Sequence, residues 1–173
     1  RGNSTPVVWG AKVLLTQAVE KVGKRMLLCF DRQTGKQLWE AGITYKEPEL
    51  THGTNPYCAA SPATNGEQIV VFHASAGVFC YDMNGKELWK RTDLGKQHHI
   101  WGNGTSPVIA GDRFFLNFGP GPKTTLYAFD LKTGKQIVLD DVFQKSFGYQ
   151  KWFSDYAAKE MPKLPSFAAD PQF

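Results

Sequence analysis

Cysteine is scarce in this chain of 173 residues: there are three, at positions 29, 58 and 80, and no two are adjacent. Their spacing fits no zinc-ligand pattern, and an odd number leaves at least one thiol free. Charge of one sign is not concentrated anywhere either. The formal +4 is the small excess of 20 basic over 16 acidic residues scattered along the chain. The basic block that marks a nucleic-acid-binding surface is therefore missing. No apolar run approaches the ~20 residues of a membrane-spanning helix. A Gly-rich phosphate cradle, a nucleophile elbow and a kinase signature are all lacking, and no residue stands out as catalytic.

What the chain does have is repetition. Cys29-Phe30-Asp31-Arg32-Gln33-Thr34-Gly35-Lys36-Gln37-Leu38-Trp39 returns as Cys80-Tyr81-Asp82-Met83-Asn84-Gly85-Lys86-Glu87-Leu88-Trp89. It returns again as Ala128-Phe129-Asp130-Leu131-Lys132-Thr133-Gly134-Lys135-Gln136-Ile137-Val138. A second marker precedes each copy, Thr5-Pro6 before Gly10, Ser61-Pro62 before Gly66 and Ser106-Pro107 before Gly111. Short β-branched and aromatic runs bounded by Gly, Pro and Asn read as strands, four to a unit. In the second unit they are the segment after Pro62, then 68–73, 78–81 and 86–90. Self-similarity at this period means a repeat architecture. Four strands per unit predicts an all-β chain of antiparallel propeller blades.

The turns agree with that assignment. Asn84-Gly85 is the dipeptide of a two-residue hairpin turn with positive φ, whereas the longer copies place Thr-Gly where a three-residue loop would sit. Asp31, Asp82 and Asp130 precede these turns and are expected to accept their backbone N–H groups. Gly35, Gly85 and Gly134, with Trp39 and Trp89, complete the structural repeat. Cys29 and Cys80 fall where Ala128 stands in the third copy, which reads as a small buried position.

The pattern Ala-x-Asp-x-x-Thr-Gly-Lys-x-x-Trp resembles the tryptophan-docking motif of pyrroloquinoline-quinone-like (PQQ-like) β-propeller repeats. Segments such as Thr54-Asn55-Pro56-Tyr57-Cys58-Ala59-Ala60-Ser61-Pro62 are most similar to uncharacterised planctomycete-type members. The likeness covers roughly residues 4–140, and Val138 stands where the third Trp belongs. The expected organisation is repeats over 1–141 (4–40, 60–90 and 105–140, joined by long loops) and a non-repeat tail over 142–173, with one short helix over 149–161. Three blades are fewer than the ring of four to eight that closes a propeller. The chain is thus expected to be part of an incomplete propeller whose remaining blades lie outside it.

Strand parity separates the two ends of the blades. The short repeated turns share one end. The long links between blades share the other with the second-to-third-strand loops, and binding residues concentrate on loops held by a rigid scaffold. The ligand-binding candidates are therefore His52, Asn55, Tyr57, His98, His99, Trp101 and Asn103. No metal site is assigned: His98 and His99 point apart in an extended chain, and Glu47 with Glu49 lacks a ligand-dense loop. His73 and Ser75 add polar groups at the same end, and Cys58 is expected to be loosely constrained.

The reading that follows is a non-catalytic scaffold, binding a protein or small ligand through its inter-blade loops and needing no cofactor. The resemblance implies two alternatives. One is a PQQ-dependent quinoprotein dehydrogenase using PQQ and calcium, in which the quinone stacks between a Trp and a ring of two adjacent disulfide-bonded cysteines. The other is an assembly factor at the outer membrane. It also implies a periplasmic or extracytoplasmic location.

Overall fold

In the computed structural model, which describes residues 2–119 and 124–138, twelve strands form three antiparallel sheets of four. The first comprises β1 (Val7–Trp9), β2 (Lys12–Val19), β3 (Lys24–Asp31) and β4 (Gln37–Thr44). The second comprises β5 (Ala63–Thr64), β6 (Gln68–Phe72), β7 (Val78–Asp82) and β8 (Glu87–Arg91). The third comprises β9 (Val108–Ala110), β10 (Arg113–Phe118), β11 (Thr125–Asp130) and β12 (Gln136–Ile137). Each sheet runs in sequence order, the up-and-down meander of a propeller blade. The chain is all-β, and its blades form an incomplete propeller. The helix expected over 149–161 and the rest of the tail lie outside the described residues.

Burial follows each blade's neighbours. The middle blade is sandwiched: Ile69, Val71, Phe79 and Tyr81 pack with Leu14, Leu27 and Cys29 of the first blade. Val70, Phe72, Val78 and Cys80 pack with Phe114, Leu116 and Phe129 of the third. A sheet covered on both faces needs apolar residues at every position, which is why β6 reads Ile-Val-Val-Phe without alternation. In β2 only one residue in two is fully buried, as for a sheet with one covered face.

Trp39 and Trp89 join the blades less completely than a buried docking residue implies; both are half-buried. The Trp39 ring lies over Gly85, and the Trp89 ring over Gly134, so closely that a Cβ at either glycine would fall within 3 Å of the indole. Each Trp thus seats on the turn of the following blade. A β-bulge opposite Cys29/Phe30 and another opposite Cys80/Tyr81 set them up: Leu38 and Leu88 are squeezed out of register, exposed, and the next residue re-aims. Bulges commonly re-aim a side chain in this way. The third blade pairs Phe129 with Gln136 and Ala128 with Ile137 without a bulge, and its Val138 is exposed.

The Ser/Thr-Pro marker has a structural use. The Ser61 hydroxyl accepts from the Thr5 N–H at 2.8 Å, and the Ser106 hydroxyl from the Ser61 N–H at 2.9 Å. Hydroxyl steps therefore tie the starts of consecutive blades together, satisfying backbone donors that precede a short first strand.

Candidate functional site

At the turn end, chemistry is absorbed by structure. Asp31 accepts from the Gln33 and Thr34 N–H groups and the Thr34 hydroxyl; Asp130 does the same with Thr133. Asp82 holds its shorter turn through the Asn84 and Lys86 N–H groups. The Thr34 and Thr133 hydrogen bonds, hydroxyl before backbone, hold the Asp31 and Asp130 carboxyls below their ordinary range. Gly35, Gly85 and Gly134 all have positive φ.

At the opposite end the links converge. The segment 52–55 is a tight turn, with the Asn55 N–H donating to the His52 carbonyl at 2.9 Å. Asn55 Nδ2 then reaches across to the second link and donates to the Trp101 carbonyl at 2.6 Å and, more weakly, to that of Asn103 at 3.4 Å. The His52 and Trp101 rings lie 4.5 Å apart, tilted by 51°. Gly102, at φ +73°, permits the approach, since a Cβ there would crowd Asn55 and Thr51. His99 Nδ1 accepts the Trp101 N–H at 3.3 Å. Trp101 is nevertheless 55% exposed and Ile100 64%. The structure thus groups His52, Asn55, Trp101 and Asn103, with His99 alongside. His98 is exposed and outside the group, and Tyr57 belongs to a different cluster.

That second cluster escaped the sequence reading. Arg25, 3% exposed, pairs with Glu49 at 2.7 Å and donates to the His73 carbonyl at 2.7 Å. Its guanidinium lies over the Tyr57 and Tyr45 rings. Glu49 accepts from the Ser75 hydroxyl and N–H, and the Ser75 hydroxyl accepts from the Gln97 N–H. Tyr57 donates to the Glu49 carbonyl at 2.7 Å. One buried network so joins the first blade, both links and the middle blade. Glu47 pairs with Lys96 at 2.5 Å, so Glu47 and Glu49 each answer a basic side chain and do not share a cation. The signal in the sequence was Arg25 itself, a permanent charge heading the apolar run Met26-Leu27-Leu28-Cys29, which demands a buried partner.

Cys58 is not loosely held. It is buried at φ +61° beside His73, with Sγ 3.5 Å from Nδ1. Its carbonyl and that of Ala60 both accept the Thr16 hydroxyl. Burial pushes the Cys58 thiol up to about 11 and the Cys80 thiol up to about 12, and raises Cys29 as well. Burial, then the Arg25 charge, lowers His73 to about 3. Both shifts favour the neutral thiol and the neutral imidazole over the thiolate, the reactive form. Among the described residues no group of three or more His, Cys, Asp or Glu is placed to hold a metal, and no helix is long and apolar enough to cross a membrane.

A family model described as outer membrane protein assembly factor BamB matches residues 1–152. Among solved structures, BamB from Moraxella catarrhalis is similar at 18% identity and TM-score 0.52, over 78% of this chain and 33% of that one. A europium-containing methanol dehydrogenase is similar at 17% and 0.53, over 80% and 24%. The quinohemoprotein alcohol dehydrogenase from Comamonas testosteroni is similar at 17% and 0.57, over 78% and 20%. At these identities the likeness is one of fold. The chain spans about a third or less of the length of these structures. No curated protein matches its sequence.

Proposed function

This chain belongs to the family of PQQ-type β-propeller repeat proteins, and from that premise we propose that it is a non-catalytic scaffold docking a protein through the link face of its blades. The observation that carries this reading is the Ile100-Trp101 pair, exposed yet held in place by Asn55. A rigid aromatic anchor on a polar frame loses little conformational freedom on binding and is the kind of residue that dominates interface energetics. A membrane-assembly role and an extracytoplasmic location are part of the same proposal and draw on the family description alone.

The described residues do not fit the quinone site that the dehydrogenase alternative implies. Cys29, Cys58 and Cys80 are free, buried and separate, with thiols shifted away from reactivity. Fold likeness does not transfer an activity.

The test is site-specific photocrosslinking in cells. A crosslinker at position 100 is expected to yield discrete protein adducts that weaken on Trp101→Ala, and one at position 33, in the turn end, none. Adducts from position 33 alone would reverse the assignment of faces. Submicromolar, saturable PQQ binding in the presence of calcium, abolished by Trp101→Ala, would overturn the scaffold reading in favour of the dehydrogenase.

A further inference from the structure

A cleft of about 500 Å³ opens at the link end of the first blade, away from Trp101. One wall is the β2–β3 loop, residues 20–24, and the other is the start of the first link, residues 45–48, with Tyr57 and Arg25 also lining it. The two walls are locked together. The Tyr45 N–H donates to the Gly23 carbonyl at 2.7 Å, and Gly23, at φ +67°, sits so close that a Cβ would meet the Tyr45 carbonyl at 2.8 Å. The two walls of the cleft are thus in direct backbone contact. Its volume falls in the ~300–1,000 Å³ range of ligand clefts, enough for a short segment of chain and too small for a folded partner.

Its charge is unbalanced in a specific way. Arg25 is committed to Glu49, and Glu47 to Lys96. Lys21, Lys24 and Lys46 have no ion pair or side-chain hydrogen bond among the described residues, and Glu20 alone opposes them. Three unpaired ammonium groups against one carboxylate leave a net charge of +2 at the rim. Guanidinium forks suited to bidentate phosphate are absent, because the one Arg is already occupied. Separate ammonium point charges suit separate carboxylates. Glu20, exposed beside them, is free to accept backbone N–H groups of a bound segment. Tyr45 also lines the cleft, and its hydroxyl has no hydrogen-bond partner among the described residues.

We propose that this cleft binds an acidic peptide segment, whose side-chain carboxylates pair with Lys21, Lys24 and Lys46 while its backbone donates to Glu20. The site shares no side chain with the Trp101 platform and does not depend on the reading of that platform.

The experiment is isothermal titration of the 173-residue chain with a blocked tetraglutamate peptide, at about 50 mM and about 500 mM salt. Saturable binding is expected at low salt and weaker binding at high salt. The combined K21E/K24E/K46E variant should weaken it at least tenfold, and W101A should leave it unchanged. All three lysines are exposed, so the urea midpoint of the combined variant should match the parent. Should the charge reversal disturb folding, Lys46→Gln alone provides a second readout, with an expected loss of about threefold. Absence of saturable binding, or full affinity in the lysine variants, would overturn the proposal. Displacement of the peptide by an equal concentration of inorganic phosphate would also overturn it, by marking a general anion site. Loss on W101A alone would move the acidic segment to the Trp101 platform and sink this cleft as its site, while leaving the scaffold reading in place.

Discussion

His73 is the residue whose environment most changes its chemistry. It is 1% exposed, packs on Phe79 and has an unpartnered Nε2. Burial and the neighbouring Arg25 charge keep it neutral in the fold, with its pKa lowered from 6.5 to about 3. Below pH 6.5 the unfolded chain takes up a proton here and the folded chain does not. Its contribution to stability is therefore complete above pH 6.5 and is lost progressively as pH falls toward 3. Between pH 6.5 and 5 the loss from this group is about 2 kcal/mol. Urea midpoints measured across that window should fall for the parent chain and hold nearly level for His73→Leu; parallel profiles would show that another group sets the slope. The same residue shows why polar loop composition misleads: His73 adds a polar group to the link end in sequence, yet its side chain is buried beside Cys58.

At the scale of the element, the repeat turns offer an internal control. Gly35 and Gly134 have nearly the same φ, +70° and +69°, but a Cβ at Gly35 meets nothing within 4 Å, whereas one at Gly134 meets the Trp89 ring at 2.7 Å. Gly35→Ala should therefore cost only the backbone strain of a left-handed alanine, about 1 kcal/mol. Gly134→Ala adds displacement of the indole, a further ~1–3 kcal/mol. Equal losses in chemical denaturation would mean that the Trp does not seat on the turn. The two Trp side chains also differ. Trp89 Nε1 donates to the Leu131 carbonyl at 2.9 Å, a carbonyl shared with Gln68. The corresponding Met83 carbonyl is taken by the Lys12 ammonium, and Trp39 Nε1 is left buried and unpaired. Lys12 and Gln68 occupy equivalent places at the start of β2 and β6, opposite Asp31 and Asp82. One exchange in the repeat thus goes with whether the same blade's indole finds a partner on the following blade.

At the scale of the molecule the Arg25–Glu49 network ties the first blade to both links and to the middle blade. Cys58 and Ala74 lie beside it and are the only non-glycine residues with positive φ among those described. Such strain, ~1–3 kcal/mol each, persists only where the surroundings over-determine it. Glu49→Ala leaves Arg25 buried without its partner, so a loss of about 3–5 kcal/mol is expected. Arg25→Met combined with Glu49→Leu should recover most of that loss. A double variant as unstable as the single one would mean that the network's hydrogen bonds to Ser75 and His73, and not its charges, hold the links.

The sequence by itself determined the blades. Turn chemistry at Asp31, Asp82 and Asp130, the Gly positions and the four apolar runs per unit are local, and each acts within a few residues of its own position. Parity likewise places both links at one end of the sheets, because an antiparallel meander leaves no other choice. Which link side chains meet was decided by tertiary structure. His52 reaches Trp101 only because Asn55 and Gly102 bring two links together, and His98, adjacent to His99 in sequence, stays outside. Arg25 and Glu49 are separated by the rest of β3 and the whole of β4, and no local pattern pairs them. Their pairing depends on where the middle blade docks, since burial by that blade is what makes an unpaired charge there too costly to leave unanswered.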